Sequence, residues 1–134
     1  MRPFPLKIVT PDGVEFDGQA ESLTVRTTSG DLGILAGHTN LVAPLGQGRC
    51  TIIMDGKRRY AACIGGMVSV LDNIVTLIPT TFEWAEDIDA DRVERSFARA
   101  QGILNSKDSS KTDVALAEAR LKRALVRRSV ASIK

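Results

Sequence analysis

The side chains that could do chemistry are few, and their spacing does not suit catalysis. The chain has one histidine, His38, and two cysteines, Cys50 and Cys63, with no Cys-x-x-Cys pattern. A single histidine leaves His-based metal sites and His-dependent triads without partners, so no catalytic residue and no metal ligand set is assigned. A P-loop is also missing, since Gly56-Lys57 is followed by Arg58 where Ser or Thr is required. What remains is anion chemistry. Ile88-Asp89-Ala90-Asp91-Arg92-Val93 is followed by Arg99, and Arg92 and Arg99, seven residues apart, share one helical face. Arginine forks pair with phosphate oxygens, and a carboxylate accepts hydrogen bonds from a sugar or base. The plainer reading has Asp89 capping a helix while Arg92 pairs with it or with Glu94. Further on, Arg120, Lys122, Arg123, Arg127 and Arg128 follow one another without an intervening acid. Such a run is either a solvated helix face or a surface for an acidic partner.

Composition narrows the classes. The 134 residues are 43% hydrophobic and 25% charged, the balance of an ordinary folded protein of one domain, or one domain with an appendage. Net charge is +2. From Lys111 onward there are seven basic residues against two acids, so the rest of the chain is slightly acidic and the tail is basic. Nucleic-acid binding is disfavoured: aromatic residues are 4% and none lies in the basic run, so base stacking has no platform. Prolines at positions 3 and 5 interrupt any apolar leader, and no run approaches the roughly 20 apolar residues of a membrane span. The expectation is a cytosolic protein that meets a membrane only through a partner. The cysteines sit in apolar, strand-like surroundings and are expected as buried free thiols.

The elements that must hold these residues fall into two groups. Up to about residue 80 the pattern is that of short strands: Leu6 and Ile8, then Val14 and Phe16, then Leu23, Val25 and Thr27 alternate with polar neighbours. Turns are expected at Pro11-Asp12-Gly13, Asp55-Gly56 and Asp72-Asn73. Gly65-Gly66 is expected to break the chain, and Pro79 to end the last strand. Helical patterns between strands are missing, which favours an all-β sandwich. Near Glu86 the period changes to 3.6. Val93, Phe97, Ala100 and Leu104 mark one helix. After a polar loop at 105–110, Val114, Ala117, Leu121, Ala124 and Leu125 mark a second, running from about Thr112. The boundaries expected are a β-sandwich over 1–86 and an antiparallel helical hairpin over 87–134. The hairpin stripes are rich in alanine and bury little area, so the pair should be weakly held.

The stretch 30–48, GDLGILAGHTNLVAPLGQG, interrupts short apolar runs with five glycines. By composition it is a bulged strand and a tight loop. Its pattern G-x-x-G-I-L-A-G-H-x-x-L, Gly30 to Leu41, resembles the signature of the epsilon subunits of F-type rotary ATP synthases, called delta in mitochondria. The likeness extends along most of the chain. It implies a flattened sandwich of about ten strands that links a gamma subunit to the membrane c-ring, with Asp31 and His38 as contact residues. It implies a mobile basic helix (Arg120, Lys122, Arg123, Arg127, Arg128) that meets an acidic segment of the alpha/beta catalytic head and restrains ATP hydrolysis. The segment Ile88–Val93 resembles the I/L-D-x-x-R-A motif by which some bacterial members bind ATP, with Val93 in place of alanine. On that likeness the ATP site draws on Glu83, Ile88, Asp89, Arg92, Arg99, Arg123 and Arg127. ATP is then a regulatory ligand, no cofactor is required, and the location is the cytoplasmic face of a bacterial plasma membrane.

The expected function is therefore that of a non-catalytic central-stalk subunit. The rival from another class is a stand-alone nucleotide-sensing module that shares only the fold. A small hydrolase is disfavoured by the missing nucleophile–base pair.

Overall fold

A computed structural model describes residues 2–133. Eight strands come first: β1 (Phe4–Thr10), β2 (Gly13–Ala20), β3 (Ser22–Thr27), β4 (Gly30–Ile34), β5 (Leu41–Pro44), β6 (Gln47–Met54), β7 (Lys57–Leu71) and β8 (Ile74–Trp84). A short 3-10 turn (Ala85–Asp87) leads to α1 (Ala90–Asn105) and α2 (Lys111–Ala131). The chain divides into two compact units between Trp84 and Ala85.

The strands form one hydrogen-bonded sheet in the order β2-β1-β8-β7-β6-β3-β4, with β5 also paired to β7. Pairing shows how one sheet makes two layers. The first half of β8 pairs with β1 in parallel, at Leu6↔Val75 and Ile8↔Leu77, and with the second half of β7. That half of β7 also pairs with β5, at Leu41↔Val70. The first half of β7 pairs instead with β6, at Cys50↔Ala61, and with the second half of β8, at Ala61↔Trp84. One layer is thus β2, β1, β8, β7 and β5, and the other is β8, β7, β6, β3 and β4. The two long strands belong to both, turning the corner at Gly65–Gly66 and Pro79–Thr80.

This corrects the strand count. Eight strands are present where about ten were expected, because Gly65-Gly66 bends β7 without ending it, and β8 runs through Pro79 to Trp84. At the corner the Leu45 N–H donates to the Gly66 carbonyl (2.8 Å) and the Gly65 N–H to the Gly46 carbonyl (2.9 Å), so the bend keeps its hydrogen bonds. Gly66 has φ +96, and a Cβ there would run into the Ile78 carbonyl and approach the Pro79 Cα to 2.7 Å. Only glycine permits that approach.

Alternation fills the space between the layers. Phe4, Leu6 and Ile8 of β1 meet Val68, Val70, Val75 and Leu77, with Leu23, Val25, Cys50 and Ile52 from the other layer. The two buried threonines are turn staples of one design. Thr27 Oγ1 accepts from the Ser29 N–H (3.1 Å) and donates to the Gly30 carbonyl (2.7 Å), while Thr10 Oγ1 accepts from the Asp12 N–H (3.1 Å). Asp72 and Asn73 adopt φ +49 and +69, the left-handed pair that a tight β-hairpin demands.

The second unit is a helix pair. Asp89 caps α1 by accepting the Arg92 N–H (3.1 Å). Ser110 and Asp113 form a capping box on α2, with each side chain accepting the other's backbone N–H. Between them the Ser109 hydroxyl donates to the Ile103 carbonyl (2.8 Å), which closes the end of α1. The buried residues on the helices are small: Val93, Ala100, Ala117, Ala124 and Val130. Leu125, expected on the packed stripe, is 46% exposed, because the closest helical contact is made by alanines.

Candidate functional site

Three places carry the sequence-predicted residues. The first is the glycine-rich stretch. Asp31 sits on β4 opposite Arg26 of β3, and its Oδ1 accepts from Arg26 Nε at 2.6 Å. That hydrogen bond, then the charge of Asp31, pushes the Arg26 guanidinium further up. His38 lies instead in the loop between β4 and β5, where its Nδ1 donates to the Thr39 carbonyl (2.8 Å). The structure therefore places Asp31 and His38 on different elements. The loop is tied to the β7–β8 turn by two side chains that sequence reasoning missed. Asn73 Oδ1 accepts the Gly37 N–H (2.8 Å), and Asn40 Oδ1 accepts the Asp72 N–H (2.9 Å). Nothing in the spacing of 40 and 73 signals the pairing, since it depends on the register of β5 on β7.

Beside this loop runs the outer face of β5, β7 and β8. Leu71 lies opposite Ile74, Met67 opposite Ile78, and Val42 on β5 opposite Ser69. Val42, Met67, Leu71, Ile74 and Ile78 are each about half exposed or more. A contiguous apolar sheet face of this kind marks an interaction surface.

The second place is the helix pair. Ile88 is buried, Asp89 is exposed, and Arg92 and Arg99 are exposed on one side of α1. Arg123 and Arg127 are half-buried on α2. One contact between the helices is a bidentate ion pair that sequence reasoning did not assign. The Arg128 Nε and Nη2 donate to Glu94 Oε1 and Oε2, both at 2.8 Å, and its guanidinium carbon stacks 3.8 Å from the Phe97 ring centroid. Glu94 thus pairs across the hairpin, not with Arg92. The bidentate pair sets the level of the helices: Arg99 lies five residues further along α1, and Arg123 five residues back along α2. Arg128 of the basic run thus forms an interhelical ion pair with Glu94. Val93 is buried, so the residue that replaces the motif's alanine faces inward. Glu83 belongs to the other unit, on β8 opposite Ala62.

The third place is the end of β8. Trp84 packs edge-on against Phe82 (4.8 Å) and Phe16 (6.4 Å), and the Arg59 guanidinium lies over its ring at 3.7 Å. This cation–π lid leaves the indole 8% exposed.

Among the described residues no group of three or more His, Cys, Asp or Glu could hold a metal. The thiols are diagonal neighbours in the β6–β7 register and are buried. Burial pushes Cys63 up to about 12 and Cys50 well above the ordinary thiol range, with a further push on Cys50 from Cys63. Protonated thiols are neither nucleophiles nor metal ligands. Among the described residues no helix is long and apolar enough to cross a membrane.

Comparison with known proteins fits this division of the chain. Residues 3–85 match the family of the ATP synthase delta/epsilon chain β-sandwich domain, and residues 86–132 match its long α-helix domain. The chain belongs to the ATP synthase delta/epsilon chain family. Members of the family named ATP synthase epsilon chain include one from Ruminococcus albus, 44% identical over 135 residues with all of both chains covered. Another, from Bacillus subtilis, is 45% identical over 114 residues, covering 85% of this chain and 86% of its own. Among solved structures the fold is similar to a chain in the Euglena gracilis mitochondrial ATP synthase OSCP/F1/c-ring assembly. There the TM-score is 0.83 at 22% identity, covering 98% of this chain and 82% of that one. A chain of the Tetrahymena thermophila mitochondrial ATP synthase central stalk and c-ring also shares the fold, with a TM-score of 0.60 at 16% identity and 95% of both chains covered.

Proposed function

We propose that this chain is a non-catalytic coupling subunit of the central stalk of a bacterial F-type ATP synthase. Its sandwich joins the gamma subunit to the c-ring, and its helix pair is a releasable brake on ATP hydrolysis. The observation that carries the reading is the contrast between the two interiors: a sandwich closed over many large aliphatic side chains and a helix pair closed over three alanines and two valines. A rigid body transmits torque, and a thin interface has a second arrangement within reach.

In this reading the apolar face of β5, β7 and β8 is buried on gamma, and the loop carrying His38, with Asp31, faces the c-ring. The folded helix pair permits turnover. Released along gamma, it presents Arg120, Lys122, Arg123, Arg127 and Arg128 to an acidic segment of the alpha/beta head. The Glu94–Arg128 pair holds the folded form by occupying one of those five cations. ATP is a regulatory ligand of the same form. Arg92, Arg99, Arg123 and Arg127 supply phosphate partners, and Ile88 and Asp89 the nucleoside side. Asp89 spends Oδ1 on its cap, and the second carboxylate oxygen keeps acceptor capacity. ATP shifts the equilibrium only by its differential affinity for the folded form. The subunit works at the cytoplasmic face of the plasma membrane, through the c-ring.

The test is reassembly of the complex with full-length chain, with residues 112–134 deleted, and with Glu94→Gln. Deletion raises ATP hydrolysis, and Glu94→Gln lowers it by freeing Arg128. Hydrolysis unchanged by the deletion removes the brake. ATP titration followed by Trp84 fluorescence tests the ligand: no response at millimolar ATP removes it.

A further inference from the structure

The β4–β5 loop has a feature that the brake and the stalk contact do not explain. Residues 35–40 contain no regular element, and on them Leu35 is exposed and His38 half-buried. A loop of this length would ordinarily wander. Here it is held at its middle, Gly37, and at its far end, Asn40, by a reciprocal pair of hydrogen bonds to one turn. Asn40, on the loop, accepts the N–H of Asp72, on the turn; Asn73, on the turn, accepts the N–H of Gly37, on the loop. Each segment contributes one side-chain acceptor and one backbone donor. The turn is itself rigid, because Asp72 and Asn73 are both in the left-handed region and close the tight hairpin of β7 and β8. A third tie lies inside the loop, where the His38 N–H donates to the Leu35 carbonyl (3.2 Å). The rim of the clasp is apolar: Leu35, Leu71 and Ile74 are 54%, 60% and 55% exposed.

We propose that Asn40 and Asn73 are positioning residues that present the 35–39 loop as a preformed docking tip, so that Leu35 and His38 meet the c-ring without first being ordered. The proposal rests on the reading that this loop faces the c-ring. The physical case is preorganisation. Ordering a free loop at the moment of docking costs conformational entropy, and a loop ordered beforehand by side chains outside the contact avoids that cost. The exposed rim does not stabilise the free chain, whereas the two amide bonds hold that rim in one geometry. Both hydrogen bonds are exposed and neither asparagine belongs to the hydrophobic core, so the clasp is cut at the surface.

The variants follow from the backbone. Asn73→Gly keeps the left-handed turn and removes the acceptor. Asn40→Ala removes the other acceptor. Asn73→Asp and Asn40→Asp each restore a carboxylate oxygen in the acceptor's place. Two readouts are needed on the full chain. Amide exchange at Gly37 and Asp72 accelerates about tenfold or more in the double variant Asn40→Ala/Asn73→Gly, while exchange in the β6–β7 core is unchanged. Affinity of the chain for a purified gamma–c-ring complex falls a few-fold in each single variant and about tenfold in the double, and both Asp variants recover most of it.

The outcomes separate. Wild-type chain that does not bind the gamma–c-ring complex overturns the stalk reading itself. Wild-type binding that the double variant matches, despite accelerated exchange at Gly37 and Asp72, overturns the clasp as a positioning device. Unaccelerated exchange in the double variant overturns the clasp as a restraint. An affinity loss that the Asp variants do not rescue, or that tracks a fall in melting temperature, assigns the asparagines to general stability and also overturns the proposal.

Discussion

The sandwich is closed by Phe4, Leu6, Ile8, Leu23, Ile52 and Leu77, all fully buried, and the helix pair mainly by Ala100, Ala117 and Ala124 with the smaller aliphatics Val93 and Val130. Burying a large aliphatic or aromatic side chain is worth about 1.5–3 kcal/mol, against about 0.8 kcal/mol for a single methyl. The sandwich thus has many large terms and the hairpin a few small ones. Polar devices fill part of the gap in the hairpin: the Asp89 cap, the Ser110/Asp113 capping box and the Glu94–Arg128 fork. Caps and surface forks are local, can be broken one at a time, and leave no buried polar group stranded when they open. The lesson is that one chain can hold a stiff body and a loosely tethered arm by changing only what fills the interior.

Breaking the stiff side should give the largest effect. Gly66→Ala forces a Cβ into the Ile78 carbonyl at positive φ, and should cost about 3 kcal/mol or more, read from the urea midpoint by Trp84 fluorescence. A midpoint within error of wild type would mean that the corner does not depend on close approach.

The buried thiols give the next effect, and it belongs to the sandwich alone. Their folded-state pKa values lie above the ordinary value of 9.0, Cys63 at about 12 and Cys50 also well raised by burial. Below pH 9 both states are protonated and nothing is lost. Above it the unfolded chain releases protons that the folded chain retains, so stability falls as pH rises from about 9 toward 12. The slope should be about 1 kcal/mol per pH unit for each thiol. Urea midpoints between pH 8 and 10.5 should show this slope flattened in Cys50→Ala/Cys63→Ala.

Two smaller effects sharpen the hairpin side. Ser110→Ala removes the capping box and should cost α2 about 1 kcal/mol, seen as faster amide exchange in its first turn with β6–β7 exchange unchanged. Gly102→Ala should act in the opposite sense to Gly66→Ala. No neighbour lies within 4 Å of a Cβ at Gly102, so alanine should stabilise α1 by about 0.5–1 kcal/mol, read by helical ellipticity on warming. A loss of helicity would show that this glycine answers a packing need.

Much of the fold was legible because it is written locally. Alternation at Leu23, Val25 and Thr27 gave a buried face, and Asp55-Gly56 and Asp72-Asn73 gave tight turns. Asp89 was legible as a cap because capping needs only a carboxylate and the backbone N–H of Arg92, three residues on. Gly65-Gly66 misled for a related reason. Glycine reports that the backbone departs from the ordinary, and whether it ends a strand or bends it depends on the strands alongside. The Glu94–Arg128 fork was hidden because its members are 34 residues apart, and several arginines were equally placed by periodicity to reach Glu94.

By itself, then, the sequence determined the two-part division, the turns, the caps and the basic run of α2, all of which depend on residues within a few positions of each other. Only the tertiary structure decided that β7 and β8 serve both layers, that Asn40 and Asn73 clasp the His38 loop, and that Arg128 pairs with Glu94 across the hairpin. The physical reason is that such contacts depend on strand register and helix level. These are set by the sum of many side chains packing at once and leave no spacing along the chain to read.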